Sequence, residues 1–337
     1  MAIRTRSFRN EGRRRGRLLQ PGGGVYHVMN RTAFGSKVFG PAEKAVFVRM
    51  LRKQAAFTGV SVLAYCVMDN HFHLLLEVRP NGDLSDAALL DRYSAYYDGA
   101  DTPESTYSVR ELAAILDAGG EEAEVARRVV MARMGSLSAF MRELKQRFCI
   151  WYNARHANRG SVWGAPFKSV LVEASPEVMT KVAAYIDLNP VRAGLARDPG
   201  EYRWCGYAEC LAGVKVAREG LCGLYAGRAR GFAEALRSYR LILFGKGSLP
   251  KPGAPEGAGR ISGERLCAVL ENGGSVGLPE LLRARIRYFS EGVAIGSSAF
   301  LGAMGRRGPG AEPGSPCWGD AWEGLRTWRP LRSGVYQ

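Results

Sequence analysis

The order of apolar segments in this chain predicts an α+β fold with an antiparallel sheet, and three observations carry that prediction. Val25–Met29 alternates as Val-Tyr-His-Val-Met, the period of a strand. Pro41 opens a stretch in which Val46, Phe47, Met50, Leu51 and Ala55 fall on one helical stripe. Val60–Val67 and the segment from His71 to Val78 then read as two short apolar strands joined by a tight polar turn at Asp69–Asn70. The order strand, helix, strand, strand suits an α+β sandwich of the ferredoxin-like kind.

The chain has 337 residues, enough for one substantial domain with extensions. Lys and Arg number 47 against 32 Asp and Glu, a formal charge of +15, which favours an anionic partner and nucleic acid first. The basic stretch Arg4–Arg17 is followed by no apolar core, so it does not read as a secretory signal. No apolar run approaches the ~20 residues of a membrane helix, and a cytoplasmic, nucleoid-associated protein is expected. The seven cysteines form no Cys-x-x-Cys pair, and nothing completes a zinc set around Cys205 and Cys210.

The strongest chemical signal is His71-Phe-His73, two of only four histidines. Strand side chains two apart project from the same side, so both imidazoles lie within reach of one metal ion. Phe72, Leu74 and Leu76 take the opposite face, while Leu75 and Glu77 continue the histidine face. A plain exposed strand face would carry the same spacing, but so apolar a strand reads as central. Histidines on a covered strand need partners, and a divalent cation is one. His27, on the first strand, looks either toward this pair or into the core.

Further on, Leu137–His156 carries an apolar stripe (Phe140, Leu144, Phe148, Trp151, Tyr152) interrupted by Arg142, Lys145, Arg147 and Arg155. It reads as an amphipathic helix on the sheet whose basic face lines a DNA groove. Val170–Glu173 suits another strand. Pro176 begins a helix running through Ala184, Tyr185 and Leu188 to Asn189–Pro190. Tyr185 and Asn189, four apart, then share a helix face. If that face meets the histidines, two imidazoles, a carboxamide and a phenol come together. His71, His73 and Asn189 would hold Mg²⁺ or Mn²⁺ with positions left open for phosphate oxygens.

AYCVMDNHFHLLLEV (residues 64–78) resembles the histidine segment of the HUH single-tyrosine transposases, most closely their REP-associated branch. That branch has proline where this chain has Asp69. The segment Gly160–Ser169 resembles the family's Gly-x-Leu-Trp-Gln-x-Arg-Phe-Lys-Ser, with Pro166 in place of the arginine. Ala183–Leu195 resembles its Tyr-Ile-x-x-Asn-Pro-Val-x-x-Gly segment, whose tyrosine is the nucleophile. The resemblance covers roughly residues 22–208. It implies that Tyr185 attacks single-stranded DNA at or near an imperfect hairpin, leaving a 5′-phosphotyrosine, with His71, His73 and Asn189 around the metal. Arg31, Lys145, Arg147, Lys168 and Arg192 are the expected phosphate contacts. Trp163 either stacks on a base or is a buried aromatic. A homodimer would let the tyrosine helix serve its own or the neighbouring subunit.

The expected organisation is a basic arm at 1–20 and a catalytic domain at 21–210, with an insertion at 80–135 holding two helices. A helix and linker at 211–259, a small helical module at 260–303 and a disordered tail at 304–337 follow. Two other readings share the fold: a DNA-binding protein that no longer cuts, and a replication initiator or relaxase.

Overall fold

In the computed structural model the alternating segment becomes β1 (Gly24–Arg31). The stripe that Pro41 opens is α1 (Pro41–Thr58), and the two apolar runs are β2 (Ser61–Val67) and β3 (His71–Val78). The structure describes residues 23–80, 82, 84–97, 106–249 and 259–277, with the backbone of 294–296, 317–320 and 326–329. The basic arm and residues 278–293 lie outside them.

With β4 (Lys168–Val172) the strands form one antiparallel sheet ordered β2-β3-β1-β4, the expected ferredoxin-like arrangement. Its register sets Met29 opposite His73 and Arg31 opposite His71. The period of two then divides β3. Phe72, Leu74 and Leu76 are fully buried against Phe47 and Leu51 of α1 and Phe140, Leu144 and Phe148 of α5 (Leu137–His156). Leu75 is buried on the other face with Ala183, Ala184 and Ile186 of α6 (Pro176–Asp187). Each such side chain contributes roughly 1.5–3 kcal/mol by leaving water.

Between β3 and α5 lie three helices where the sequence predicts two: α2 (Asp86–Tyr97), α3 (Val109–Ala118) and α4 (Gly120–Met131). A Ser108–Glu111 capping box opens α3. α2 buries Leu89, Tyr93, Tyr96 and Tyr97 in a separate core with Leu112, Ala126 and Val130. A polar network ties this insertion to the sheet layer. Glu143 of α5 takes a two-point bond from Arg133, at 2.8 and 2.9 Å, and a third from Gln54 of α1 at 3.0 Å. Tyr96 donates to the Gln54 carboxamide oxygen.

After α6 come α7 (Asn189–Arg192), α8 (Gly206–Ala212), α9 (Lys215–Gly223), α10 (Phe232–Ser248) and α11 (Gly263–Glu271). The boundary expected at 210/211 falls inside α8. Ile261 and Val269, in the expected 260–303 module, are buried in the same core as Leu75 and Ala184. The C-terminal helices thus continue the layer over the histidine face. α9 lies so close to β2 that a Cβ on Gly220 would sit 2.3 Å from the Val62 carbonyl oxygen. Gly220→Ala is therefore expected to cost about 2 kcal/mol through overpacking, read as a lower urea midpoint at unchanged slope.

β5 (Ala294–Gly296), β6 (Cys317–Asp320) and β7 (Arg326–Arg329) form a second, three-stranded sheet ordered β5-β7-β6. Two of these strands fall in the tail expected to be disordered. Their spacing of four residues each is too short for a periodicity to be read from sequence.

Candidate active site on the histidine face

The period of two that buries Leu75 also turns His71 and His73 toward α6. Their rings stand 5.1 Å apart, edge to face. His71 Nδ1 lies 2.7 Å from Asn70 Oδ1. An amide oxygen only accepts, so Nδ1 carries the proton and the Nε2 lone pair stays available. His73 is only 3% exposed, and its Nδ1 meets His27 Nε2 at 3.0 Å. His27 thus looks toward the pair, one of the two alternatives its strand position allows, with its ring stacked on His73 at 5.2 Å.

The electrostatics keep these rings neutral. Burial first, then His27, His71 and Arg31, push the His73 pKa down to about 3. Burial lowers His27 as well. Burial and the Arg31 charge lower His71 against a smaller opposing pull from Asp69. Asp69, which stands where the family pattern has proline, accepts from the nearly buried Lys44 at 2.6 Å. This bond anchors the β2–β3 turn to α1.

α6 brings Tyr185 over the pair. Its ring centroid lies 5.8 Å from that of His73 and 5.9 Å from that of His27, both edge-on, and the side chain is 43% exposed. The Arg192 guanidinium stands 5.2 Å from the Tyr185 ring centre, placing positive charge beside the phenol. Asp187 holds the C-terminal end of α6. It accepts from Tyr239 Oη of α10 at 2.5 Å and from the Tyr207 N–H of α8 at 3.3 Å. Burial raises its carboxyl to about 7, although both bonds pull the other way.

Asn189 differs from the sequence expectation. Tyr185 and Asn189 do not lie on one continuous helix, because α6 ends at Asp187 and Asn189 starts α7. The Asn189 amide nitrogen donates to the carbonyls of Tyr185, at 2.9 Å, and Ile186, at 3.1 Å. This bond pair orients the amide and leaves Oδ1 without a protein donor among the described residues.

The expected DNA contacts divide. Arg31 is exposed beside His71, and Lys168 is exposed at the start of β4. Three others have partners within the protein, and Trp163 takes the buried alternative. Trp163 is 9% exposed, packs on Phe72 at 5.7 Å and donates its indole N–H to the Lys145 carbonyl, so no base can stack on it. Lys145 donates to the Ala165 carbonyl at 3.3 Å and lies over the Trp163 ring. Arg147 lies 4.3 Å over Tyr96, so that part of the basic face of α5 holds the insertion instead of a DNA groove. His156 ends α5, is exposed and meets Glu43 at 3.0 Å.

As a cation site, the two neutral imidazoles are suitable nitrogen donors, His71 through its free Nε2, and Asn189 Oδ1 is a suitable oxygen donor. Among the described residues no group of three or more His, Cys, Asp or Glu is arranged to hold a metal ion.

Residues 23–97 match the family model described as Transposase IS200 like, which supports the resemblance to the HUH single-tyrosine transposases over that stretch. The matched stretch runs from β1 through α2 and includes His27, His71 and His73. Tyr185 and Asn189 lie beyond it. No curated protein and no solved structure matched. The family supports a transposase-type function with DNA as partner. No described helix is long and apolar enough to cross a membrane.

Proposed function

We propose that this protein cleaves and rejoins single-stranded DNA at or near hairpins of the REP-like kind, through a covalent bond between Tyr185 and a 5′-phosphate. The observation that carries this reading is the position of Tyr185, half-exposed and edge-on to His73 and His27 on the face where two neutral imidazoles meet.

In the proposed step the Tyr185 phenol gives its proton to solvent and its oxygen bonds to phosphorus. The bond from phosphorus to the 3′ oxygen breaks, and that oxygen takes up a proton. A phenol has an ordinary pKa of ~10 and attacks poorly unless positive charge stands nearby. Arg192 supplies such charge at the ring, and Arg31 supplies it at the histidine end. A bound Mg²⁺ or Mn²⁺, held by His71, His73 and Asn189, would supply Lewis acidity toward the non-bridging phosphate oxygens. His27 keeps the His73 ring oriented, as an outer hydrogen-bond partner does for a ligand histidine. Because the phosphodiester energy is retained in the phosphotyrosine, the freed 3′-hydroxyl can reverse the step or another end can be joined.

Pro166, which stands where the family pattern has an arginine, favours a second reading: a DNA-binding protein on this fold that no longer cuts. The two are separated by incubating the protein with labelled hairpin-bearing single strands and running a denaturing gel. The proposed function predicts a slow-migrating protein–DNA adduct with Mn²⁺ and none with EDTA. Binding without adduct across several strands would favour the second reading.

A further inference from the structure

We propose that Phe34 is a stacking platform for an unpaired base of the single strand, an inference that rests on the proposed DNA substrate. Phe34 sits in the short turn Ala33–Gly35 that follows β1. Its side chain is fully exposed, and its backbone has φ 56° and ψ 15°, the left-handed conformation that glycine adopts freely and phenylalanine does not. Among the described residues Phe34 and Tyr185 are the only exposed phenylalanine, tyrosine or tryptophan side chains.

The turn that holds it is braced on several sides. The Thr32 N–H donates to the Asn70 carbonyl at 3.0 Å, and the Ala33 N–H donates to the Val162 carbonyl at 2.9 Å. Thr32 Oγ1 donates to the Ser36 carbonyl at 2.6 Å. Beneath it the chain passes so close that a Cβ on Gly164 would lie 3.0 Å from the Thr32 carbonyl oxygen. The Asn70 side chain links turn and site directly, donating to the Gly35 carbonyl at 3.1 Å while its oxygen meets His71 Nδ1.

The left-handed backbone disfavours phenylalanine here, and no described contact of its ring within the chain offsets that cost. An external partner does. Arg31 and Lys37, both exposed, lie three residues either side of Phe34 in the chain, which suits a partner that is anionic as well as flat. A π-face between cations is what non-specific single-strand recognition uses: the ring takes a base and the cations take the flanking phosphates.

The test is fluorescence anisotropy of a fluorescein-labelled oligothymidine strand with the full-length protein in EDTA, so that no chemistry occurs. Phe34→Ala and Phe34→Leu are each expected to weaken binding about ten- to hundredfold, whereas Phe34→Trp stays within about threefold of wild type and its fluorescence is quenched by the strand. Thermal melts that coincide with wild type keep unfolding out of the reading. Three results would overturn the inference. Phe34→Leu could bind as tightly as wild type, a duplex probe could lose as much affinity as the single strand, or Phe34→Ala could change only the oligomeric state. If wild type forms the adduct while Phe34→Ala binds oligothymidine normally, this inference fails alone. If Phe34→Ala loses single-strand affinity but wild type forms no adduct, the cutting reaction fails and the platform stands.

Discussion

Tyr185→Phe is expected to abolish the covalent adduct, a loss on the order of 10⁴-fold or more, as when other covalent enzymes lose the nucleophile. The variant removes one oxygen from a half-exposed ring and leaves the edge contacts to His27 and His73 in place. Its stability is therefore expected to stay within about 0.5 kcal/mol of wild type. Its affinity for oligothymidine is expected to be unchanged, because the Arg192 guanidinium and the exposed Arg31 and Lys168 remain. A gel of wild type beside Tyr185→Phe, with anisotropy on the same samples, checks both halves.

The second large effect concerns stability. Glu143→Ala removes the carboxylate that joins α5, α1 and the segment after α4, and strands the Arg133 guanidinium among Phe57, Tyr96 and Tyr97. Breaking a wholly buried pair costs about 3–5 kcal/mol. Here both side chains keep a little water contact and Arg133 keeps its ring contacts, so about 2–3 kcal/mol is expected. Chemical denaturation followed by circular dichroism reads it. The pH dependence has a definite sign. Burial raises the Glu143 pKa, but the bonds from Arg133 and Gln54 outweigh it, and the folded value lies below the ordinary one. The stabilisation is therefore full above the unfolded value and is lost as pH falls through the folded one. The gap between wild type and Glu143→Ala should narrow as the solution is acidified toward pH 4 and below.

The histidine site was legible because it rests on the shortest-range regularity a chain has. Strand alternation places His71 and His73 on one face whatever surrounds them, and the same alternation offered His27 as a neighbour. Tyr185 was legible from the resemblance of its segment, since helical spacing alone singles out many tyrosines. Other features depend on longer-range structure. Asn189 reads as sharing the face of Tyr185 only if the helix runs on, and it breaks after Asp187. The basic face of α5 reads as a groove lining only if nothing covers it. The insertion covers part of it, with Tyr96 taking Arg147. α2 was missed because its buried stripe is made of tyrosines (Tyr93, Tyr96, Tyr97), which count as polar or apolar depending on what they meet. α8 and α9 were missed because they are short, and a few residues show too little periodicity. Phe34 carried no sequence signal at all: its exposure and left-handed backbone exist only in the folded chain.

The central claim is that one particular tyrosine becomes joined to DNA. Trypsin cuts after Lys181 and Arg192, and the peptide between them, residues 182–192, contains a single tyrosine, Tyr185. Mass spectrometry of the adduct after nuclease and trypsin digestion measures the claim directly. The account predicts a nucleotide mass on Tyr185 of that peptide, present with Mn²⁺ and absent with EDTA. The same mass on any other tyrosine, with the 182–192 peptide unmodified, would contradict it.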